Sequence, residues 1–139
     1  MYYLSLLIAV ASGIMYHITQ KSINHEVNPL ISLLITYAVA FGVTLVIYQF
    51  DGNKPSMTTE FQNLNWASFA LGIAIVGLEL GILLAYRSGW DISKLSLFNN
   101  LLVALILIPV GLAVFKEHAN LKTFVGILVS LTGLYIIKM

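Results

Sequence analysis

The sequence predicts an all-α integral membrane protein with five transmembrane helices. Three observations carry this expectation. Hydrophobic residues make up 59 % of the 139-residue chain and charged residues 9 %, whereas soluble domains carry about 25 % charged residues. The mean hydropathy is +0.91. Five apolar runs, each near the roughly 20 residues that cross a bilayer, alternate with short polar segments. The 7 basic, 6 acidic and 3 His side chains are too few to cover a water-soluble globule of this length. Disorder is excluded as well, because disordered chains need low hydrophobicity and high charge.

The first run covers residues 2–20. Its Ala9-Val10-Ala11 fits the small-residue pattern of a signal-peptidase site, but no Lys or Arg precedes it. A signal peptide needs a basic start, so the first helix is expected to stay. Residues 21–28 form a short loop that ends in Asn28-Pro29, a helix-start signal. The second run covers 30–50. Residues 51–65 are the longest polar stretch and read as a loop, with Asp51-Gly52 and Pro55-Ser56 as turn signals. The third run, 66–86, ends at Ser88-Gly89. The fourth covers 95–115 and contains Pro109, which removes a backbone hydrogen bond and bends the helix. A tight turn at 116–120 leads into the fifth run, 121–137. Tyr2, Tyr3, Trp66, Trp90 and Tyr135 lie near span ends, where amphipathic rings favour the headgroup level. The whole chain, 1–139, reads as one transmembrane domain.

Charge leaves the orientation nearly undetermined. With five spans, one side of the membrane holds Lys54, Lys116 and Lys122, and the other holds Lys21, Arg87, Lys94 and Lys138. Orientation follows the excess of Lys and Arg in cytoplasmic loops, and here there is almost none. Short loops with few charges explain this, and so does a chain that inserts both ways and pairs as an antiparallel dimer. The net charge of +1 offers no field for nucleic acid.

Glu79 is the only acid inside the five runs. It is the fourteenth residue of the third run, within about 5 Å of the midplane at 1.5 Å per residue. Ser68, Gly72, Glu79 and Tyr86 share one helix face. A mid-membrane carboxylate costs about 2.5–3.5 kcal/mol on insertion scales, so this stripe is expected to face protein or a water-filled cavity. It reads as a proton or cation site, or as a protonated Glu hydrogen-bonded to a neighbouring helix. Ser5, Ser12, Tyr16 and Thr19 share a face of the first helix, with His17 and Gln20 nearby. Ser32, Thr36, Ala40 and Thr44 recur every four residues in the second and read first as a packing face. Ser96, Asn99 and Asn100 cluster in the fourth, where amides need partners; cavity lining and interhelix bonding both fit. Thr123, Gly126, Ser130 and Gly133 form a small-residue face on the fifth. His17, His25 and His118 are scattered, and no HExxH, nucleophile elbow or P-loop is present. With no cysteine in the chain, the reading contains no metal site, no cofactor and no enzyme centre.

The order of these features resembles one repeat of the EamA-like branch of the drug/metabolite transporter superfamily. Ser12-Gly13 followed by Lys21 is similar to the family's opening. Leu84-Ala85-Tyr86-Arg87-Ser88-Gly89 looks like the end of its third helix. Pro109 followed by Glu117 matches its Pro-to-Glu spacing, and Gly126-Ile127-Leu128 with Gly133-Leu134 matches its last helix. Two departures stand out. Family members mostly carry two inverted five-helix repeats, and this chain has one. The related small multidrug resistance proteins carry an essential Glu in the first helix, whereas residues 9–15 here contain no acid.

The resemblance implies a secondary transporter of a small metabolite or drug-like molecule, proton- or cation-coupled, in a prokaryotic cytoplasmic membrane. One repeat of an inverted-repeat architecture implies a homodimer, most simply antiparallel, with Gly126, Ser130 and Gly133 at its seam. The substrate or proton site would draw on Glu79, Tyr86, Tyr16, His17, Ser12, Asn99 and Asn100. The alternative is a non-catalytic membrane subunit of a hetero-oligomeric transporter or enzyme.

Overall fold

The computed structural model of the protein describes residues 2–52, 56–116 and 121–138, and every element among them is helical. In chain order these are α1 (Tyr2–Ser22), α2 (Pro29–Phe50), α3 (Met57–Asn63), α4 (Trp66–Arg87), α5 (Ile92–Ala113) and α6 (Leu121–Lys138). Four helices, Tyr3–Ser22, Pro29–Phe50, Trp66–Arg87 and Ile92–Ala113, are long and apolar enough to cross a membrane. Only 6 to 11 % of these spans is buried inside the protein. Their exposed Leu, Ile, Val and Phe side chains need an apolar solvent, and the chain is a multi-pass membrane protein.

The fifth expected span falls on α6, a helix of 18 residues. Its side chains at 121–124, 134, 137 and 138 lie outside the described ones, as do residues 117–120 of the expected turn and residues 53–55 of the 51–65 segment.

Two elements depart from the sequence expectation. The 51–65 segment is not all loop, because α3 forms within it. The backbone N–H groups of Thr59 and Glu60 donate to the Ser56 carbonyl at 3.0 and 3.1 Å, and Met57, Glu60 and Gln62 are good helix formers. Seven residues are too few to show a helical period. The fourth span begins three residues early, at Ile92, where Lys94 pairs with Asp91 at 3.0 Å.

Helix starts follow local chemistry. The Asn28 side-chain oxygen accepts from the Leu30 N–H at 2.9 Å, and that of Asn65 accepts from the Ala67 N–H at 3.0 Å. Each satisfies one of the donors that a helix N-terminus leaves open, and Pro29 fills the first position of α2, where no N–H is needed. At the end of α4, Ser88 N–H donates to Leu84 O at 3.0 Å. Gly89 follows with φ +98°, the left-handed turn that closes many helices and that glycine adopts without strain.

The chain groups into two compact units. One comprises Met1–His17 with Gly89–Met139, and the other Ile18–Ser88. In the first, α5 packs on α6, and the Trp90 and Phe98 rings meet edge to face at 5.7 Å. In the second, α2 packs on α4, with Leu33, Ile82, Leu83 and Tyr86 buried.

Candidate functional site

The unit formed by Ile18–Ser88 holds the candidate site, and its geometry starts from Arg87. The Arg87 Nη2 donates to the backbone carbonyls of Val27 at 2.6 Å and Asn24 at 3.2 Å. This pins the loop before α2 to the last residue of α4. The N-terminus of α2 therefore lies beside the C-terminus of α4, and the two helices run antiparallel. Lys21 places its ammonium 5.7 Å from the centre of the Tyr86 ring, within cation–π reach. Asn24 shapes the loop itself, its side-chain oxygen accepting from Glu26 N–H at 3.0 Å.

Moving inward from this end, Leu33 of α2 is 3 % exposed and Leu83 of α4 is 1 % exposed. One helical turn deeper on each helix stand Tyr37 and Glu79, both partly buried. Each is four residues, about 6 Å at 1.5 Å per residue, beyond its buried leucine. Each also lies about 4 Å from the centre of its own 22-residue helix, toward the pinned end. Glu79 Oε2 and Tyr37 Oη are both shielded from the surface, and neither makes a hydrogen bond. Buried polar atoms are nearly always paired, so two unpaired ones at the same depth on facing helices mark a place where something else binds or a proton moves.

The expected stripe on α4 splits in two. Glu79 and Tyr86 are on the packed side, together with Ile75, Ile82 and Leu83, whereas Ser68 and Gly72 are exposed. Of the expected packing face of α2, Ser32 is half-buried. Thr36, Ala40 and Thr44 are exposed, and the face that packs carries Pro29, Leu33 and Tyr37. The physical reason is that both threonines satisfy themselves. Thr36 Oγ1 donates to Ser32 O at 3.1 Å and Thr44 Oγ1 to Ala40 O at 2.8 Å, so neither hydroxyl needs a neighbouring helix.

The remaining expected residues belong to the other unit. Ser12, Tyr16 and His17 stand on α1, with the Tyr16 and His17 rings edge to face at 5.3 Å. Asn99 and Asn100 stand on α5, where Asn100 Nδ2 donates to Ser96 Oγ at 3.5 Å within the same helix. On α6, Ser130 Oγ donates to Gly126 O at 2.8 Å. A Cβ placed at Gly126 or Gly133 would meet nothing within 4 Å, so this small-residue face is open. Among the described residues no group of three or more His, Cys, Asp or Glu is placed to hold a metal ion.

Sequence reasoning passed over Tyr37 and Arg87. Tyr37 sits one residue off the Ser/Thr repeat that drew attention on α2. Its signal was positional, since it has the same depth as Glu79 once α2 and α4 are set antiparallel. Arg87 was read as a loop charge and as part of the 84–89 segment, and backbone carbonyls as acceptors leave no mark in a sequence.

No family model, curated protein or solved structure matches this chain.

Proposed function

We propose that the chain is a secondary transporter of a small metabolite or drug-like molecule, coupled to a proton or cation, and built as one EamA-like repeat. The observation that carries this reading is the Glu79 carboxylate, mid-span, with one oxygen shielded and unpaired. A membrane carboxylate is costly and marks an ion or substrate path by default. In this reading α6 is the fifth span, the protein lies in a prokaryotic cytoplasmic membrane, and two copies assemble, most simply as an antiparallel pair, to complete the inverted architecture. The open face of Gly126 and Gly133 on α6 is the seam.

The test is a thermal-shift screen of metabolites on the purified protein in detergent, repeated with Glu79→Gln. A compound that stabilises the protein with a pH dependence that Glu79→Gln abolishes supports the reading. A stabilising compound whose pH profile Glu79→Gln leaves unchanged makes Glu79 structural and removes the chemical basis of the proposal.

A further inference from the structure

The unpaired atoms beside Glu79 identify its partner and, through it, the coupling ion. This inference rests on Glu79 as the ion-exchanging group. We propose that Tyr37 is the positioning partner of Glu79, and that the two residues form a proton site whose hydrogen bond reverses direction with each protonation.

The antiparallel register set by Arg87 brings Tyr37 and Glu79 to one depth, four residues beyond the buried Leu33 and Leu83. Both side-chain atoms are shielded from the surface and both lack a partner. A phenol and a carboxyl group complement each other in both protonation states. When Glu79 is a carboxylate it only accepts, and the Tyr37 hydroxyl donates to it, directly or through one water. When Glu79 takes up a proton, its O–H becomes a donor and the Tyr37 oxygen accepts. The phenol keeps its own proton throughout, so the balance is one proton gained and one released at Glu79. The threonine hydroxyls of α2 are less suited, because Thr36 and Thr44 are committed to their own helix.

The same geometry disfavours a metal cation. A hard cation is held by about six or more oxygens, and the Tyr37–Glu79 pair provides shielded, uncommitted oxygens from only two side chains. Among the described residues, the other ionisable groups at the packed end of this unit are Lys21, Arg87 and Tyr86, which is buried on the same side of α4 as Glu79. Lys21 lies over the Tyr86 ring, and the Arg87 guanidinium is bound to the Val27 and Asn24 carbonyls. Arg87 stands eight residues along α4 from Glu79, about 12 Å, and Lys21, on α1, stands over Tyr86 at the same end.

The test is a pH titration of the full-length protein in lipid nanodiscs, followed by infrared difference spectroscopy. The carboxylic C=O band that titrates in the wild type and vanishes in Glu79→Gln belongs to Glu79. In Tyr37→Phe this band is expected to remain, with its midpoint moved to higher pH by about one unit. That is roughly tenfold in proton affinity, the scale by which a hydrogen bond to the charged carboxylate exceeds the one to the neutral acid, both of which are lost. The helical content of Tyr37→Phe should be unchanged, so a merely structural role would leave the midpoint in place. A second measurement needs no Tyr37 variant. The wild-type difference spectrum should contain a phenol C–O band that disappears with Glu79→Gln. Added sodium should not displace the midpoint. If Glu79→Gln removes no titrating band, the reading of Glu79 as the ion site fails. If it removes one while the Tyr37→Phe midpoint is unmoved and the phenol band persists, Glu79 stands and the role of Tyr37 is overturned. A sodium-dependent midpoint overturns the choice of the proton.

Discussion

The two halves of α4 are differently packed. In the first half Trp66 is 79 % exposed and Ile73 77 %, whereas in the second Ile82 is 6 % and Leu83 1 % exposed. Ile73 and Ile82 are the same residue type, so hydrophobicity does not decide between them. In α2 the packed end is again the pinned one, with Leu33 buried and Ile47 and Phe50 exposed. The difference teaches where packing is needed in a bilayer. Lipid is as apolar as leucine, so aliphatic side chains gain little by leaving it for protein. Polar groups do gain, because unsatisfied ones in hydrocarbon cost several kcal/mol. The packed ends hold Tyr37 on α2 and Glu79, Tyr86 and Arg87 on α4.

This contrast can be broken most directly at Leu83. Leu83→Ala should cost about 2–3 kcal/mol, toward the low end for buried leucines, because in lipid the packing part is lost and the transfer part is not. Ile73→Ala on the open half should change stability by less than about 0.5 kcal/mol. Equal losses in unfolding from mixed micelles would show that the two halves are alike. Next in size is Arg87→Lys. A lysine keeps the charge but not the planar fork, and about 1 kcal/mol should go with the two carbonyl bonds. Hydrogen exchange should rise across residues 23–28 and stay unchanged in α5. Uniform exchange across both regions would mean that Arg87 does not hold the packed end together.

The open faces give two smaller effects. Gly133→Leu should leave the stability of the single chain within about 0.5 kcal/mol, since nothing lies within 4 Å of the added carbon. Crosslinked dimer should nevertheless fall if a second copy packs there. Unchanged dimer content would return that face to lipid. The smallest effect is expected for Thr36→Val and Thr44→Val. Their hydroxyls are satisfied within α2, so thermal unfolding should stay within about 0.5 kcal/mol of wild type. A larger loss would mean that the exposed side of α2 is covered by protein.

The long helices were legible from their hydropathy, and for α2 the Asn28-Pro29 start signal agrees with it. Glu79 was legible because a lone acid in an apolar run has few bland explanations. Its setting was less so. The Ser/Thr repeat of α2 has the spacing of an interface, and only the structure shows the hydroxyls turned back on their own helix. Tyr37 was hidden by register, since a helix face becomes meaningful only when its neighbour and direction are known. The helix α3 was hidden by its brevity among turn signals.

The Arg87 contact also imposes an order on biosynthesis. Val27 and Arg87 are 60 residues apart. At about 5–20 residues per second, the ribosome makes Arg87 roughly 3–12 s after it makes the carbonyl that Arg87 will hold. Throughout that interval the segment joining α1 to α2 has no latch, while the two helices are already being delivered to the membrane. The loop before α2 can therefore be held by this contact only once α4 has been made to its last residue.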